Sequence, residues 1–142
     1  MEYVRGRQDG EPVRFGTDTF TGRAMVNPLV HSEEGQRQVR VNSVSFEPGA
    51  RTYWHSHDDG QLILVTTGHG AVATRDDEQE LRPGDTVWTA PGEEHWHGAA
   101  PDSFMAHTAV TLGPTQWREE VDDESYRAPF SQRPAGQRDQ KE

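Results

Sequence analysis

Two pairs of histidines stand at a spacing that suits metal chemistry. His55 and His57 are one residue apart, as are His95 and His97, and Gln61 follows the first pair. Alternate side chains of a β-strand point to the same face, so each pair would project two imidazoles in one direction. Neutral imidazole is the commonest metal ligand in proteins, and an amide oxygen can complete the set. These residues predict a metal site built from nitrogen and oxygen.

Three further histidines bring the total to seven. His107 lies in an alternating segment, where it would share a face with Met105 and Thr111. His31 follows a proline in an expected loop and His69 lies between two glycines in an expected turn, so we expect both at the surface. A lone histidine is more often a core residue satisfied by a carbonyl, but two His-x-His pairs on separate strands favour one shared site.

Short strand-like segments separated by turns must position these residues. Helical periodicity is almost absent, and the breaks between segments are rich in Pro, Gly and Asp. Nine strands with regular turns predict an all-β sandwich or barrel. The predicted strands are 19–26, 39–46, 52–57, 61–66, 70–75, 78–81, 86–90, 95–98 and 104–112.

The length of 142 residues suits one domain. We interpret residues 1–18 as an N-terminal extension and residues 19–126 as the barrel with a docked C-terminal segment. Residues 127–142 are rich in Pro, Gln and charged residues, so we expect a polar, disordered tail.

A change of pattern after the last predicted strand indicates a different C-terminal element. Trp117, Val121 and Tyr126 recur at about helical intervals, with acidic residues between them. This spacing predicts a short helix or turn that docks onto the barrel.

Composition excludes several classes of function. The net charge of -10, from 24 acidic and 14 basic residues, would repel nucleic acid and anionic membrane surfaces. The longest aliphatic run, 62–65, is far below the ~20 residues of a membrane helix. The acidic start lacks the apolar core of a signal peptide, so we expect a cytoplasmic protein. The absence of cysteine excludes disulfides and thiolate metal sites.

Two stretches of the chain resemble the sequence motifs of the cupin superfamily. The first is G-x5-H-x-H-x3-Q-x6-G, beginning at Gly49, and the second is GD-x5-PG-x2-H, beginning at Gly84. The resemblance implies a single-domain double-stranded β-helix, the jelly-roll barrel. Over roughly residues 19–126 the chain closely resembles a bacterial subgroup of single-domain cupins that includes manganese-dependent hydroxynitrile lyases.

The resemblance implies a role for each residue that matches the family motifs. It implies a divalent metal, Mn²⁺ first, with Fe²⁺, Zn²⁺ or Ni²⁺ as alternatives. Two pocket histidines would act on the substrate without binding metal, and further side chains would line a pocket for a small molecule. The implied metal ligands are His55, His57, Gln61 and His95; the implied catalytic residues are His97 and His107; the implied pocket residues are Asn42, Val44, Phe46, Thr52 and Thr111.

Gln61 departs from the commonest cupin pattern, which has glutamate at that position. Four neutral ligands would leave the full charge of a divalent cation uncompensated and make it a stronger Lewis acid. A six-coordinate ion would also keep two positions open for substrate or water. Asp58 and Asp59 depart from the subgroup pattern as well, and we expect both carboxylates to face water.

The resemblance implies hydroxynitrile lyase activity, in which a cyanohydrin is cleaved to a carbonyl compound and cyanide. Either His107 or a hydroxide on the metal would take the hydroxyl proton, and His97 or another pocket histidine would protonate cyanide. Two alternatives stay open: an iron-dependent cupin oxygenase, and a non-catalytic cupin that binds or senses a small molecule.

The tryptophans and the N-terminal strand bear on packing and assembly. Trp54, Trp88 and Trp96 are expected in the core or at an interface rather than as platforms for substrate. Small cupins commonly pair through N-terminal strands, which residues 19–26 could supply. We therefore expect a homodimer or homotetramer.

Overall fold

Two curled antiparallel β-sheets make up most of the computed structural model, which describes residues 1, 3, 5, 14–15, 18–35 and 37–131. The all-β jelly-roll prediction is confirmed. Two short helices follow the last strand: α1 (Asp123–Arg127) and a 3-10 helix (Ala128–Phe130). No helix among the described residues is long and apolar enough to cross a membrane. The strands are β1 (Arg14–Phe15), β2 (Phe20–Thr21), β3 (Ala24–Ser32), β4 (Val39–Phe46), β5 (Arg51–Thr52), β6 (His55–His57), β7 (Gln61–Gly68), β8 (Gly70–Thr74), β9 (Glu78–Leu81), β10 (Thr86–Thr89), β11 (His95–Ala99), β12 (Met105–Leu112) and β13 (Thr115–Trp117).

The chain passes repeatedly between the two sheets, so strands distant in sequence become neighbours. The first sheet has the order β1-β3-β4-β12-β7-β10. The second has the order β13-β6-β11-β5-β2, and β8 pairs with both β11 and β9. The two histidine pairs therefore lie on adjacent strands of the second sheet. Gln61 and His107 face them from the first sheet.

Strand register sets the pairing of site residues across neighbouring strands. His95 of β11 lies opposite His55 of β6. In the other sheet, Thr111 of β12 lies opposite Gln61 of β7. Because directly opposed side chains of an antiparallel pair share a face, each pair projects to the same side of its sheet.

The barrel interior is apolar at one end and rich in histidine at the other. Every second residue of β12 is buried and the intervening ones are partly exposed, as the alternating sequence predicts. Apolar side chains from both sheets fill the remaining interior. The buried members of this core are Ala24, Val44, Phe46, Ala50, Ile63, Val65, Val72, Leu81, Ala99 and Met105.

A second apolar cluster lies on the outer face of the second sheet. Trp96 alternates with the histidines of β11, so its side chain points away from the barrel interior and is fully buried. Trp54, Val121 and Tyr126 complete the cluster with alanines of β8. The core prediction is confirmed for Trp54 and Trp96, whereas Trp88 is 53% exposed.

Arg51 anchors the C-terminal segment over this cluster. Its guanidinium donates to the carbonyl oxygen of Val121 at 3.0 Å and to the carboxylate of Asp123 at 3.1 Å. The same group lies 4.3 Å from the ring centroid of Tyr126, a cation–π contact. The Tyr126 hydroxyl in turn donates to the carbonyl oxygen of Ala99 at 2.6 Å. A buried cation thus ties α1 to the barrel wall.

The predicted strand 19–26 is wrong in its extent, because it forms two strands that separate at Gly22. This glycine has a φ of 78°, and a Cβ there would lie 2.9 Å from the Cα of Ala50. The second piece, β3, continues to Ser32, so His31 lies in a strand and not in a loop. The strand tolerates Pro28 because its pairing register shifts immediately afterwards.

The predicted strand 52–57 is also interrupted, and the predicted short C-terminal helix is confirmed but does not include Trp117. The backbone N–H groups of Tyr53 and Trp54 bond to Thr19 and Glu119 outside the ladder, which separates β5 from β6. Trp117 belongs to strand β13 rather than to a helix.

The C-terminal helix begins later than its predicted spacing indicated. It starts at Asp123, after Asp122 caps it by accepting from the N–H of Ser125 at 2.7 Å. Ordered structure continues to Phe130, beyond the predicted boundary. Most of the predicted N-terminal extension, and residues 132–142, lie outside the described part of the chain.

Replacing Arg51 should loosen the C-terminal segment. Arg51→Met leaves the buried carbonyl of Val121 without its donor, so we expect the free energy of unfolding to fall by about 2 kcal/mol. Urea unfolding measures the loss, and hydrogen exchange should show faster exchange at residues 121–130. Arg23→Met, at an exposed ion pair, should change stability by less than about 0.5 kcal/mol. Equal effects of the two substitutions would show that Arg51 is no anchor.

Candidate metal centre

Five histidines meet inside the barrel, and all five are buried. The ring centroids of His55 and His95 are 4.3 Å apart, and those of His55 and His57 are 4.9 Å apart. The rings of His97 and His107 are separated by 4.7 Å. The structure therefore brings together the histidines that strand alternation placed on inward faces.

Backbone carbonyls set the orientation of two of these rings. The Nδ1 atom of His55 lies 2.8 Å from the carbonyl oxygen of Tyr53, and that of His95 lies 3.0 Å from the carbonyl oxygen of Glu93. A carbonyl oxygen only accepts, so each Nδ1 must carry the hydrogen. Each Nε2 therefore presents a lone pair to the interior, the arrangement typical of histidines that bind a metal.

His57 is oriented by a side chain instead of the backbone. Its Nδ1 atom lies 2.9 Å from the hydroxyl oxygen of Thr115 on β13. Its Nε2 atom is buried and has no hydrogen-bond partner in the described structure. A buried polar atom without a partner is costly, and a cation would satisfy it.

Gln61 presents its amide oxygen to the same space. Its amide nitrogen donates to the hydroxyl of Thr111 at 2.9 Å, and its Oε1 lies 3.1 Å from Nε2 of His95. With Nδ1 of His95 protonated, both facing atoms are acceptors and repel each other. A cation between them removes this repulsion, and 3.1 Å matches the roughly 3 Å between adjacent ligands of an ion with bonds near 2.1 Å. The residues present therefore fit a divalent metal.

His97, which the family resemblance placed outside the ligand set, belongs to a close group of three histidines. Ligand atoms of His55, His95 and His97 all lie within 4.8 Å of one another, so these three can hold a metal ion. His57 and Gln61 border the same space. Two overlapping donor sets are thus built into the barrel.

His97 and His107 form a hydrogen-bonded pair. Nε2 of His107 lies 2.9 Å from Nδ1 of His97, so one of the two nitrogens carries the hydrogen between them. The Phe46 ring packs against both imidazoles, at 5.8 Å from His97 and 5.5 Å from His107. The Thr52 hydroxyl accepts from the backbone N–H of His97 at 3.2 Å. The pair can therefore pass a proton from one ring to the other.

Burial keeps these histidines neutral. Desolvation, with repulsion from neighbouring imidazoles, holds the pKa of His55 and of His97 well below the usual range. Desolvation also lowers the pKa of His57 to about 3 and of His107 to about 4, and it lowers the pKa of His95. Neutral imidazole is the form that binds metal, so the site stays ready for a cation well below pH 7.

The predicted pocket residues occupy interior positions of different kinds. Val44, Phe46, Thr52 and Thr111 are buried, while Asn42 is partly exposed. The two threonines do more than line a cavity, because each hydroxyl bonds to a site residue. Their assignment to substrate contact stays a prediction.

Residues expected at the surface behave in two ways. Asp58, Asp59 and His31 are exposed, as predicted. His69 is less exposed than predicted: its side chain is 22% exposed and its Nε2 atom lies 3.0 Å from a carboxylate oxygen of Glu80. The pairing of β8 with β9 brings His69 close to Glu80. The glycines on either side of His69 predict a turn and give no sign of this contact.

Sequence reasoning missed the residues that hold His57. Thr115 lies on β13, which no pattern predicted, and its hydroxyl also accepts from Arg40 of β4 at 2.7 Å. Thr115 and Arg40 both lie outside the two motifs that drew attention to the site. Only strand pairing brings them behind a histidine ligand.

Comparison with known proteins agrees with the geometry. A model of the cupin domain matches residues 42–110. An (R)-mandelonitrile lyase of Granulicella tundricola is 45% identical over 115 residues, which cover 78% of this chain and 87% of that protein. The chain belongs to the cupin superfamily. This cupin also resembles a solved cupin-like protein from Thermotoga maritima, with a TM-score of 0.76 and 42% identity over 80% of this chain and 90% of that one.

More distant structures share the cupin fold without sequence likeness. A predicted oxalate decarboxylase from Thermotoga maritima has a TM-score of 0.68 and 17% identity, over 80% of this chain and 100% of that one. At this identity the likeness shows the fold alone. Family membership therefore rests on the two relatives above 40% identity.

The depressed pKa values predict a loss of stability in acid. A histidine has a pKa of about 6.5 in the unfolded chain and, here, a lower pKa in the folded cupin, so the unfolded state binds more protons as pH falls. We expect the metal-free protein to be most stable above pH 7. Below about pH 6.5 the free energy of unfolding should fall, by up to about 1.4 kcal/mol per pH unit for each buried histidine. Urea unfolding between pH 8 and 4.5 measures this, and a flat profile would contradict it.

Proposed function

We propose that this cupin is a metal-dependent lyase that cleaves 2-hydroxynitriles to a carbonyl compound and hydrogen cyanide. The observation that carries the proposal is the hydrogen-bonded His97–His107 pair beside a set of neutral metal donors. The relative from Granulicella tundricola, named an (R)-mandelonitrile lyase, supports the same reaction class. A lyase of this kind needs a Lewis acid and a proton carrier side by side.

The proposed ligand set takes His57 in preference to His97. Nε2 of His57 is buried and has no hydrogen-bond partner among the described residues. His97 could also bind through its Nε2, but the bond between its Nδ1 and His107 gives this ring a route for proton transfer that His57 lacks. A ligand set without His97 leaves that ring free to carry a proton. The proposed ligands are His55, His57, His95 and Gln61.

Neutral donors suit the chemistry of the proposed reaction. A divalent cation, Mn²⁺ in the first place, would supply Lewis acidity toward the substrate hydroxyl oxygen. None of the four donors carries a negative charge, so the protein does not weaken that acidity. The carboxylate found at the position of Gln61 in most cupins would weaken it.

The histidine pair can balance the protons of the reaction. Cleavage removes the hydroxyl proton and breaks the bond between the carbinol carbon and the nitrile carbon. The electron pair of that bond leaves with cyanide, which then takes up one proton. His107, neutral at pH 7, would accept the hydroxyl proton, and its hydrogen bond to His97 would let that ring deliver a proton to cyanide. No net proton is gained or lost by the protein.

Apolar walls around the pair would favour the proposed reaction. Phe46 packs against both rings, and Val44 is buried on the same strand face. Exclusion of water strengthens the electrostatic interactions of a developing charge.

The cytoplasmic location and the homodimeric or homotetrameric state that we expect from the sequence stay predictions.

Metal analysis and a cyanide assay test the proposal. Protein purified without added metal is analysed for Mn, Fe, Zn and Ni, then assayed for cyanide release from mandelonitrile. Manganese with cyanide release supports the lyase. Oxygen uptake with an iron-loaded protein and no cyanide release would identify a cupin oxygenase, and a metal-loaded protein inactive in both assays would identify a binding protein.

Replacing His107 should separate catalysis from metal binding. We expect His107→Ala to keep its metal and to lose turnover by about 10²–10⁴-fold, because a positioned acid or base contributes about that much. Metal content and cyanide release are measured together on each variant. His55→Ala should lose the metal, and His31→Ala, at an exposed position, should change neither quantity. Loss of metal from His107→Ala would show that His107 is a ligand.

Replacing Gln61 by glutamate should test the role of the neutral amide. The added negative charge should hold or raise metal occupancy, and turnover at equal occupancy should fall because the cation is partly neutralised. Chelator competition gives the occupancy and cyanide release gives the turnover. Equal or faster turnover at equal occupancy would remove the argument from a neutral ligand.

A further inference from the structure

Arg40 lies directly behind one of the proposed metal ligands. Its Nη2 atom donates to the hydroxyl oxygen of Thr115 at 2.7 Å and lies 3.4 Å from the carbonyl oxygen of Gly113. The same hydroxyl lies 2.9 Å from Nδ1 of His57. One threonine hydroxyl therefore separates a permanent cation from a histidine that faces the metal space.

Arg40 is held by neutral partners, a hydroxyl and a carbonyl oxygen. The arginine is half-buried, and within the part of the chain that the structure describes it forms no ion pair with a carboxylate. Burial weakens the screening of its charge by water. Its field therefore reaches His57 and any cation bound beside it.

The hydrogen-bond partner of Nδ1 distinguishes His57 from the other proposed histidine ligands, because it is a hydroxyl and not a carbonyl. A guanidinium can only donate, so Arg40 occupies one lone pair of the Thr115 oxygen. This polarises the hydroxyl, which becomes a better donor to Nδ1 of His57 and a poorer acceptor from it. A hydroxyl that donates to Nδ1 places the ring hydrogen on Nε2, the atom that would bind metal. The carbonyls behind His55 and His95 cannot do this.

We propose that Arg40, acting through Thr115, is a positioning residue that makes His57 the weakest of the three histidine ligands and limits the affinity of the centre for divalent metal. The proposal rests on the metal centre of the proposed function. Two effects act in the same direction: the cation repels a second cation, and the polarised hydroxyl favours the imidazole tautomer that cannot bind it. His57 is then the ligand that yields most readily when a substrate atom needs a coordination position.

Metal affinity tests the proposal without any assay of activity. In Arg40→Met, which keeps the length of the side chain but removes its charge and donors, we expect Mn²⁺ and Zn²⁺ to bind about tenfold more tightly, the lower end of effects seen beside metal ligands. Arg40→Lys keeps the charge and a donor, so its affinity for metal should stay close to that of the wild type. Arg37→Met removes the same charge from an exposed position three residues earlier in the chain and should leave the affinity unchanged. Chelator competition measures each dissociation constant.

The tautomers of the metal-free protein give a second readout. Two-bond ¹H–¹⁵N correlation spectra should show the hydrogen on Nδ1 in His55 and His95, and a substantial fraction on Nε2 in His57. In Arg40→Met the hydrogen of His57 should move to Nδ1. Circular dichroism confirms that each variant is folded.

Several outcomes would overturn the proposal. Unchanged or weaker metal binding in Arg40→Met relative to Arg37→Met would do so, as would a His57 with its hydrogen wholly on Nδ1 in the wild type. If His57→Ala binds metal as tightly as the wild type, His57 is no ligand and the inference fails. Absence of cyanide release with the predicted shifts in affinity would contradict the lyase function alone.

Discussion

Burial of five imidazoles in one barrel interior imposes the constraint on which the rest of the site depends. Each ring must stay neutral, because a charged imidazolium among four neighbours without water would be costly. Each neutral ring has one N–H donor and one nitrogen lone pair, and both need a partner when the ring is buried. The backbone carbonyls of Tyr53 and Glu93 supply two of these partners, and the His97–His107 pair supplies its own. A cation could satisfy the remaining inward lone pairs, because the burial that keeps these imidazoles neutral also leaves such donors without water.

The outer face of the second sheet makes that burial possible. On β11 the histidines point inward and Trp96 points outward, so one strand contributes to two cores. The C-terminal segment covers Trp96 and is held by Arg51, which is itself buried. The candidate metal site and the docked C-terminal segment therefore lie on opposite faces of the same strand, β11. Loss of the docked segment would expose the back of the strand that carries two of the five histidines.

The partners of the inward donors differ in chemistry, and this difference gives the centre its asymmetry. Carbonyl oxygens only accept, so they restrict His55 and His95 to one tautomer. The Thr115 hydroxyl, which accepts from Arg40, can donate or accept and so allows either tautomer of His57. Gln61 is oriented by the Thr111 hydroxyl and contributes no charge. A cation held in this way would have firm ligands on one side and a yielding ligand on another. Such an arrangement suits a site where substrate must enter the coordination sphere during turnover.

Much of the fold and the types of donor could be read from local patterns, because strand alternation acts over two residues and needs no tertiary context. Short strand-like segments separated by turns predict the all-β barrel, and the two His-x-His pairs with the alternating segment of His107 predict histidines on its interior face. The spacing could not show which ring nitrogen faces inward, that His97 lies as near to His55 and His95 as any ligand, or that His69 is partly covered. Local carbonyls orient His55 and His95, but the folded backbone must first bring these carbonyls to the rings, and Gln61 and His57 depend on partners far along the chain. Thr111 lies 50 residues from Gln61 and Thr115 lies 58 residues from His57, so only the pairing of strands in the folded barrel brings each donor to its acceptor.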